Sequence, residues 1–334
     1  MFDTVLETHD HGSFNSWGRD RYWRSDAPVV QAAIDQDEKL PFLDAMYTTT
    51  IRDSRWRCDH GWDIDLDDGS TNYDIYNNLL LGRGLKLREG FRRYAYNNVI
   101  PFGGLHPHVW YQGSGDRVYS NIFAKSHARA RMSRLFNKRG TTVDRNLFTT
   151  DANALGRSKG LGWDANSVYA KAQFKAPDQG VFSVLEGSAA LGLGFKNFDL
   201  NKFGVKKASL RAQARTPEIP SYKGAKAVQA PLYASQQVKW LGAHLYELKG
   251  EEFSAYGVSQ EDPGIVLKNV KPNSTLYKVG LRSDDVILSI NGMTTNGTSE
   301  AIKAINKIGN KDAVLVVLRN QEEIEMRAVA SSLK

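Results

Sequence analysis

Ile75-Tyr76-Asn77-Asn78-Leu79-Leu80 is followed by Ala95-Tyr96-Asn97-Asn98-Val99-Ile100, then by Val118-Tyr119-Ser120-Asn121-Ile122-Phe123 and Val143-Asp144-Arg145-Asn146-Leu147-Phe148. The asparagines before each apolar pair, Asn78, Asn98, Asn121 and Asn146, are 20, 23 and 25 positions apart. Short strands recurring at that period indicate a solenoid, because one rung cannot bury its apolar side alone. The Leu-x-x-Leu-x-Leu pattern of a leucine-rich repeat is absent. Asn at one fixed place suits a parallel β-helix, where it can take a left-handed turn and stack its amide on the next rung.

The same period aligns a second strand. Trp62-Asp63-Ile64-Asp65-Leu66-Asp67-Asp68-Gly69 alternates apolar and acidic residues, the pattern of a strand with one face buried. Setting Gly69 against Gly90 stacks Asp65 near Lys86, Asp67 near Arg88 and Leu66 on Leu87. The next rung adds His106 and His108, with Trp110 at the edge. Asp20 is expected from the rung before. The acidic face is expected to be exposed, its aspartates about 7 Å apart at ~3.3 Å rise per residue. Like charges that close raise each other's pKa or demand a cation.

Around this core the chain is less regular. Residues 24–45 read as a long insertion, partly helical from Val29 to Ile34. Residues 127–165 read as extended loops with helical character from Ala128 to Leu135, and 172–205 as the last turns of the solenoid. Pro217, Pro220 and Pro231 mark a linker or strap. The pattern changes from about residue 236. A strand at 241–248, another at 263–270, a short helix ending at Gly280, a strand at 285–290 with a turn at Asn291-Gly292, an amphipathic helix from Ser299 to Lys307 and two closing strands describe a small α+β domain. The organisation expected is 1–205 parallel β-helix, 206–235 linker and 236–331 small domain.

The chain has 334 residues and a net charge of +7, with basic residues scattered among acidic ones. No coherent basic face favours nucleic acid, and no run is long enough to span a membrane. The single cysteine, Cys58, rules out an intramolecular disulfide. Met1 leads into polar residues, Thr8-His9-Asp10-His11-Gly12, with no signal peptide.

Lys271-Pro-Asn-Ser-Thr-Leu-Tyr-Lys-Val-Gly-Leu-Arg-Ser-Asp-Asp-Val-Ile-Leu-Ser-Ile-Asn-Gly292 resembles the most specific stretch of a bacterial-type PDZ domain. The resemblance covers about 236–331 and makes Leu241, Gly242 and Ala243 the loop whose backbone N–H groups receive a peptide's terminal carboxylate. Asp284 stands where the family usually has Gly, a place where Asp tolerates left-handed geometry. The earlier part resembles the C-terminal rungs of right-handed parallel β-helix glycoside hydrolases. The carrying residues are His11-Gly12, Asn15-Ser-Trp-Gly-Arg-Asp-Arg-Tyr-Trp23, His60 to Ser70, and Leu85-Lys-Leu-Arg-Glu-Gly90, and the nearest likeness is to family 141, with α-L-fucosidase and xylanase activities. That implies an N-terminally truncated β-helix, a plant or algal polysaccharide as substrate, and a periplasmic or secreted location.

Glycoside hydrolysis needs two carboxyl groups across the scissile bond, and Asp20 with Asp65 or Asp67 is the pair expected to supply them. Arg19, Trp62, Lys86, Arg88, His106, His108 and Trp110 are the expected substrate contacts. No cofactor is then needed. A polysaccharide lyase would use the same face differently, holding Ca²⁺ on the aspartates and abstracting a proton with Lys86 or Arg88. The third reading is a non-catalytic protein that binds glycan in the groove or peptide at the PDZ-like domain. The bland alternative for the acidic strand is neutralisation by Arg19, Arg21, Lys86 and Arg88.

Overall fold

In the computed structural model the described residues are 1–6, 11–128, 141–150, 152–160, 162–199, 204–214, 218–222, 238–248, 253, 256–259, 263–309, 312–319 and 322–329. The helical character expected from 129 to 135, and Pro217 and Pro231 of the linker, lie outside them. The chain divides into two compact units, Met1–Val228 and Gln229–Lys334.

The first unit is a three-sided parallel β-solenoid. One rung runs through Trp62–Asp67, Tyr73–Tyr76 and Leu79–Leu80, and the next begins at Gly84–Leu87. Stacking the rungs gives three sheets, all paired in parallel. The first sheet holds Gly12–Trp17, Trp62–Asp67, Gly84–Leu87 and Gly104–Pro107. Ile64, Leu66, Ile75, Leu80, Leu85, Leu87, Ile100, Leu105 and Phe123 fill the interior.

The asparagine column is a continuous hydrogen-bonded ladder. The side-chain amide of Asn78 donates to Asn98 Oδ1 at 3.1 Å, Asn98 to Asn121 at 3.0 Å, and Asn121 to Asn146 at 3.1 Å. Each amide also reaches a backbone carbonyl of a neighbouring rung, Asn98 to Ile75 O at 2.9 Å for example. The left-handed bend falls one residue earlier than expected. Asn77, Asn97, Ser120 and Arg145 all have φ 54°. Thus one residue turns the corner and the next ties the rungs together.

Residues 172–205 depart from the expected last rungs. Phe174–Ala176 and Val181–Val184 form an antiparallel hairpin, turning through Gly180 at φ 77°. With Phe195 and Ala190 it covers the outer side of the third sheet, where Leu79, Val99, Ile122 and Leu147 are buried. Apolar residues at two successive positions of a strand need cover on both faces, and this segment supplies the second. The insertion at 24–45 carries the helix Ala27–Gln36, capped by Asp26, with Val30 and Ile34 packed on Tyr22, Phe91 and Tyr111.

The second unit is an antiparallel sheet with strands in the order Val238–Trp240, Ala243–Tyr246, Ile265–Lys268, Val286–Ile290, Ala313–Arg319 and Glu322–Ala328. The helix Thr275–Val279 starts at the cap Ser274 and stops at Gly280, φ 104°. The helix Thr298–Ile308 buries Ala301, Ala304 and Ile308 in the same core as Leu245, Leu267 and Ile287. Asp284 does adopt the left-handed conformation, φ 71°, and bonds Lys268 Nζ at 2.7 Å. Asp285 beside it is fully buried, held by Arg319 at 2.7 Å through both oxygens.

Candidate functional site

The acidic strand has the expected register but the opposite environment. Asp65 lies beside Lys86, and Lys86 beside His106. However, Asp63 and Asp65 are 0% exposed and Asp67 8%. The face is an interior salt-bridge network rather than the floor of an open groove. Lys86 Nζ sits 3.1 Å from Asp65 and 3.4 Å from Asp67, and Arg88 3.1 Å from Asp67 and 3.0 Å from Asp68. Burial raises the Asp67 pKa, but Arg88 and Lys86 beside it outweigh that and hold it below the usual carboxylate value.

Asp63 is a structural tie. It accepts from the backbone N–H groups of Cys58 at 2.9 Å, Gly82 at 3.0 Å and Gly84 at 2.9 Å. Burial lifts its pKa to about 8 against those donors. Asp20 does not join the column. Asn15 stacks on Asp65 and Trp17 on Asp67, while Asp20 follows the strand's end, its carboxyl raised by partial burial and the nearby Asp44.

The expected sugar contacts divide in the same way. Trp62 stacks on His106 with ring centroids 5.1 Å apart, and both are buried. Burial and Lys86 lower the His106 pKa to about 3, so the ring is neutral. His108 is buried 5.9 Å from it. The Trp110 indole donates inward to Leu87 O at 2.7 Å. Of the expected sugar contacts, Arg19 alone is exposed, its guanidinium 4.1 Å from the ring of Trp17, which is exposed as well. Lys86 and Arg88 are enclosed, so neither can act as a base on an external uronate. Among the described residues no group of three or more His, Cys, Asp and Glu could hold a metal ion.

A second polar centre was not anticipated. Asp164 accepts from Ser167 Oγ at 2.5 Å, from Asn146 at 3.0 Å and from Ser158, and lies 2.9 Å from His127 Nε2. It joins Ser, His and Asp, but in the wrong order for nucleophilic catalysis. A triad needs the histidine between serine and aspartate, whereas here both serines bond the aspartate. The ring of His127 is walled by Phe123, Phe148 and Trp163. This centre terminates the asparagine ladder.

In the second unit, Trp240 and Ala243 pair across a two-residue turn with Leu241 at φ 45° and Gly242 at φ 88°. Both central residues are left-handed, the geometry of a tight hairpin turn. Two other features frame the adjoining strand Ala243–Tyr246. Its inward residues Ala243 and Leu245 share a core with Ala301, Ala304 and Ile308 of the long helix. Glu247, just beyond it, accepts from Thr298 N at 2.7 Å and so caps that helix.

The PDZ domain family matches residues 250–328. A probable periplasmic serine endoprotease, DegP-like, of Brucella suis biovar 1 (strain 1330) is 33% identical over 86 residues, covering 25% of this chain and 17% of that protein. The periplasmic serine endoprotease DegP of Salmonella typhimurium is 30% identical over 173 residues, covering 47% of this chain and 35% of that protein. The chain therefore spans between about a sixth and about a third of the length of these curated relatives. A solved HtrA-type protease, AlgW with decapeptide, aligns with a TM-score of 0.23 and 26% identity over 27% of this chain and 28% of that one. The curated DegP relatives overturn the glycoside hydrolase reading, and with it polysaccharide degradation. The family 141 likeness has no support beyond the shared solenoid architecture. What the matched family and the fold of the second unit establish together is that the chain carries a C-terminal PDZ domain behind a β-solenoid.

Proposed function

We propose that the protein binds peptides, and that its PDZ domain captures an extended segment by adding it as a strand beside Ala243–Tyr246. The observation that carries this reading is the matched PDZ domain together with the left-handed turn at Leu241 and Gly242 that opens this strand. Backbone N–H groups in such a turn form a nest for an anion, and a terminal carboxylate is the anion a peptide offers. A peptide anchored there runs antiparallel to Ala243–Tyr246. Its alternate side chains face the apolar side of the helix Thr298–Ile308, which favours an apolar last residue. The relatives' names place them in the periplasm, and we extend that location to this protein.

The test is fluorescence anisotropy of the full chain against decapeptides ending in Val, Leu, Ile, Phe or Tyr, each as the free acid and as the amide. Saturable binding of at least one free acid, weakened tenfold or more by amidation, is expected. Binding that ignores amidation would count against carboxylate capture, and no saturable binding by either the full chain or its Val238→Pro variant would end the proposal.

A further inference from the structure

The strand that a peptide would join already has a neighbour. Ala243–Tyr246 pairs on one side with Ile265–Lys268 and on the other with Val238–Trp240. The latter pairing sets Val238 against Leu245, Lys239 against His244 and Trp240 against Ala243. Val238–Trp240 is antiparallel to its partner and has its C-terminal end at the turn. That is the polarity of a peptide held there by its carboxylate. Its side chains also take the ligand's place, since Val238 packs into the core shared by Leu245, Ala304 and Ile305, and Trp240 is buried.

We infer that Val238–Trp240 is a built-in competitor, a strand of the chain itself that occupies the peptide edge and must peel away before a peptide binds. The inference rests on the peptide-binding reading above. Three features make the strand displaceable. Its described part, Val238–Trp240, is three residues long, with Lys239 exposed. Its turn holds Leu241 at φ 45°, a conformation a side chain with Cβ disfavours. Its removal leaves Ala243–Tyr246 still paired to Ile265–Lys268 on the other edge. The opposite edge of the sheet is a poor alternative for an apolar strand, because Glu322–Ala328 presents Glu322, Glu323, Glu325 and Arg327. Apparent affinity then equals intrinsic affinity scaled by the fraction of molecules with the strand undocked.

The experiment locks and unlocks the strand in the full chain. Lys239 and His244 face each other as a non-hydrogen-bonded pair, with Cα atoms about 4.5 Å apart, within disulfide range. Cys58 is buried. The double variant Lys239→Cys/His244→Cys is titrated, oxidised and then reduced, with the free-acid decapeptides above. Val238→Pro, which removes a ladder donor, is titrated beside it. The oxidised form is expected to bind at least tenfold more weakly than the same protein reduced, and Val238→Pro at least threefold more tightly than the parent. Equal affinities in the oxidised and reduced forms would overturn the competitor strand while leaving peptide binding intact. No saturable binding by the parent, the reduced variant or Val238→Pro would overturn both.

Discussion

Asp63 shows how one buried carboxyl group can hold two rungs together. It takes N–H donors from Cys58, Gly82 and Gly84, groups with no other way to leave water behind. Replacing it by Ala leaves buried donors unsatisfied at about 1–3 kcal/mol each, so Asp63→Ala is expected to cost several kcal/mol in urea unfolding. His106 contributes to acid sensitivity in a definite direction. Its folded pKa of about 3 is below the ordinary 6.5, so the unfolded chain binds the extra proton first. Stability from this group is complete above about pH 6.5 and declines as the pH falls toward 3. His106→Phe keeps the stack on Trp62 and removes the proton site. Its melting temperature should therefore fall less than the parent's between pH 7 and pH 4, and an equal fall would contradict the assignment. The alternation of Asp63, Asp65 and Asp67 told which residues share a face. It could not tell what covers that face, because strand periodicity carries parity and not depth. The register with Lys86 and Arg88 was readable, and in retrospect that balance of charges was the sign of an enclosed network.

At the scale of the element, the asparagine column is what the sequence made most legible. A fixed residue type at a near-constant period needs a repeated geometric cause, and the amide ladder is that cause. Asn98 sits mid-ladder, accepting from Asn78 N at 3.0 Å and from its side chain, and donating to Ile75 O and Asn121. Asn98→Ala should cost about 3 kcal/mol, since it strips partners from buried groups in two rungs. Guanidinium unfolding of this variant beside a surface control, Arg145→Ala, measures it. A loss no larger than the control's would mean that apolar packing alone sets the stacking. The hairpin Phe174–Ala176 with Val181–Val184 was not legible. Its apolar spacing resembles a rung, and only the left-handed Gly180 and the antiparallel register distinguish it.

Across the whole molecule, two units carry different kinds of information. The second unit was recognisable from Lys271 to Gly292, because its cap, its Gly280 stop and its Asp284–Asp285 turn are local chemistry. The solenoid's architecture was equally readable, but its likeness to a hydrolase was not evidence of hydrolysis. Rungs and ladders follow from stacking, whatever the surface does. The proposed function therefore lies at the peptide edge and not at the acidic strand. Amide-resolved NMR of the full chain, titrated with the tightest-binding free-acid decapeptide, tests that division most directly. The largest shift changes are expected on Trp240 to Tyr246 and on the helix Thr298–Ile308, with Asp63 to Asp68 unmoved. Shift changes centred on Trp17, Arg19 and the strand Trp62–Asp67 would contradict it.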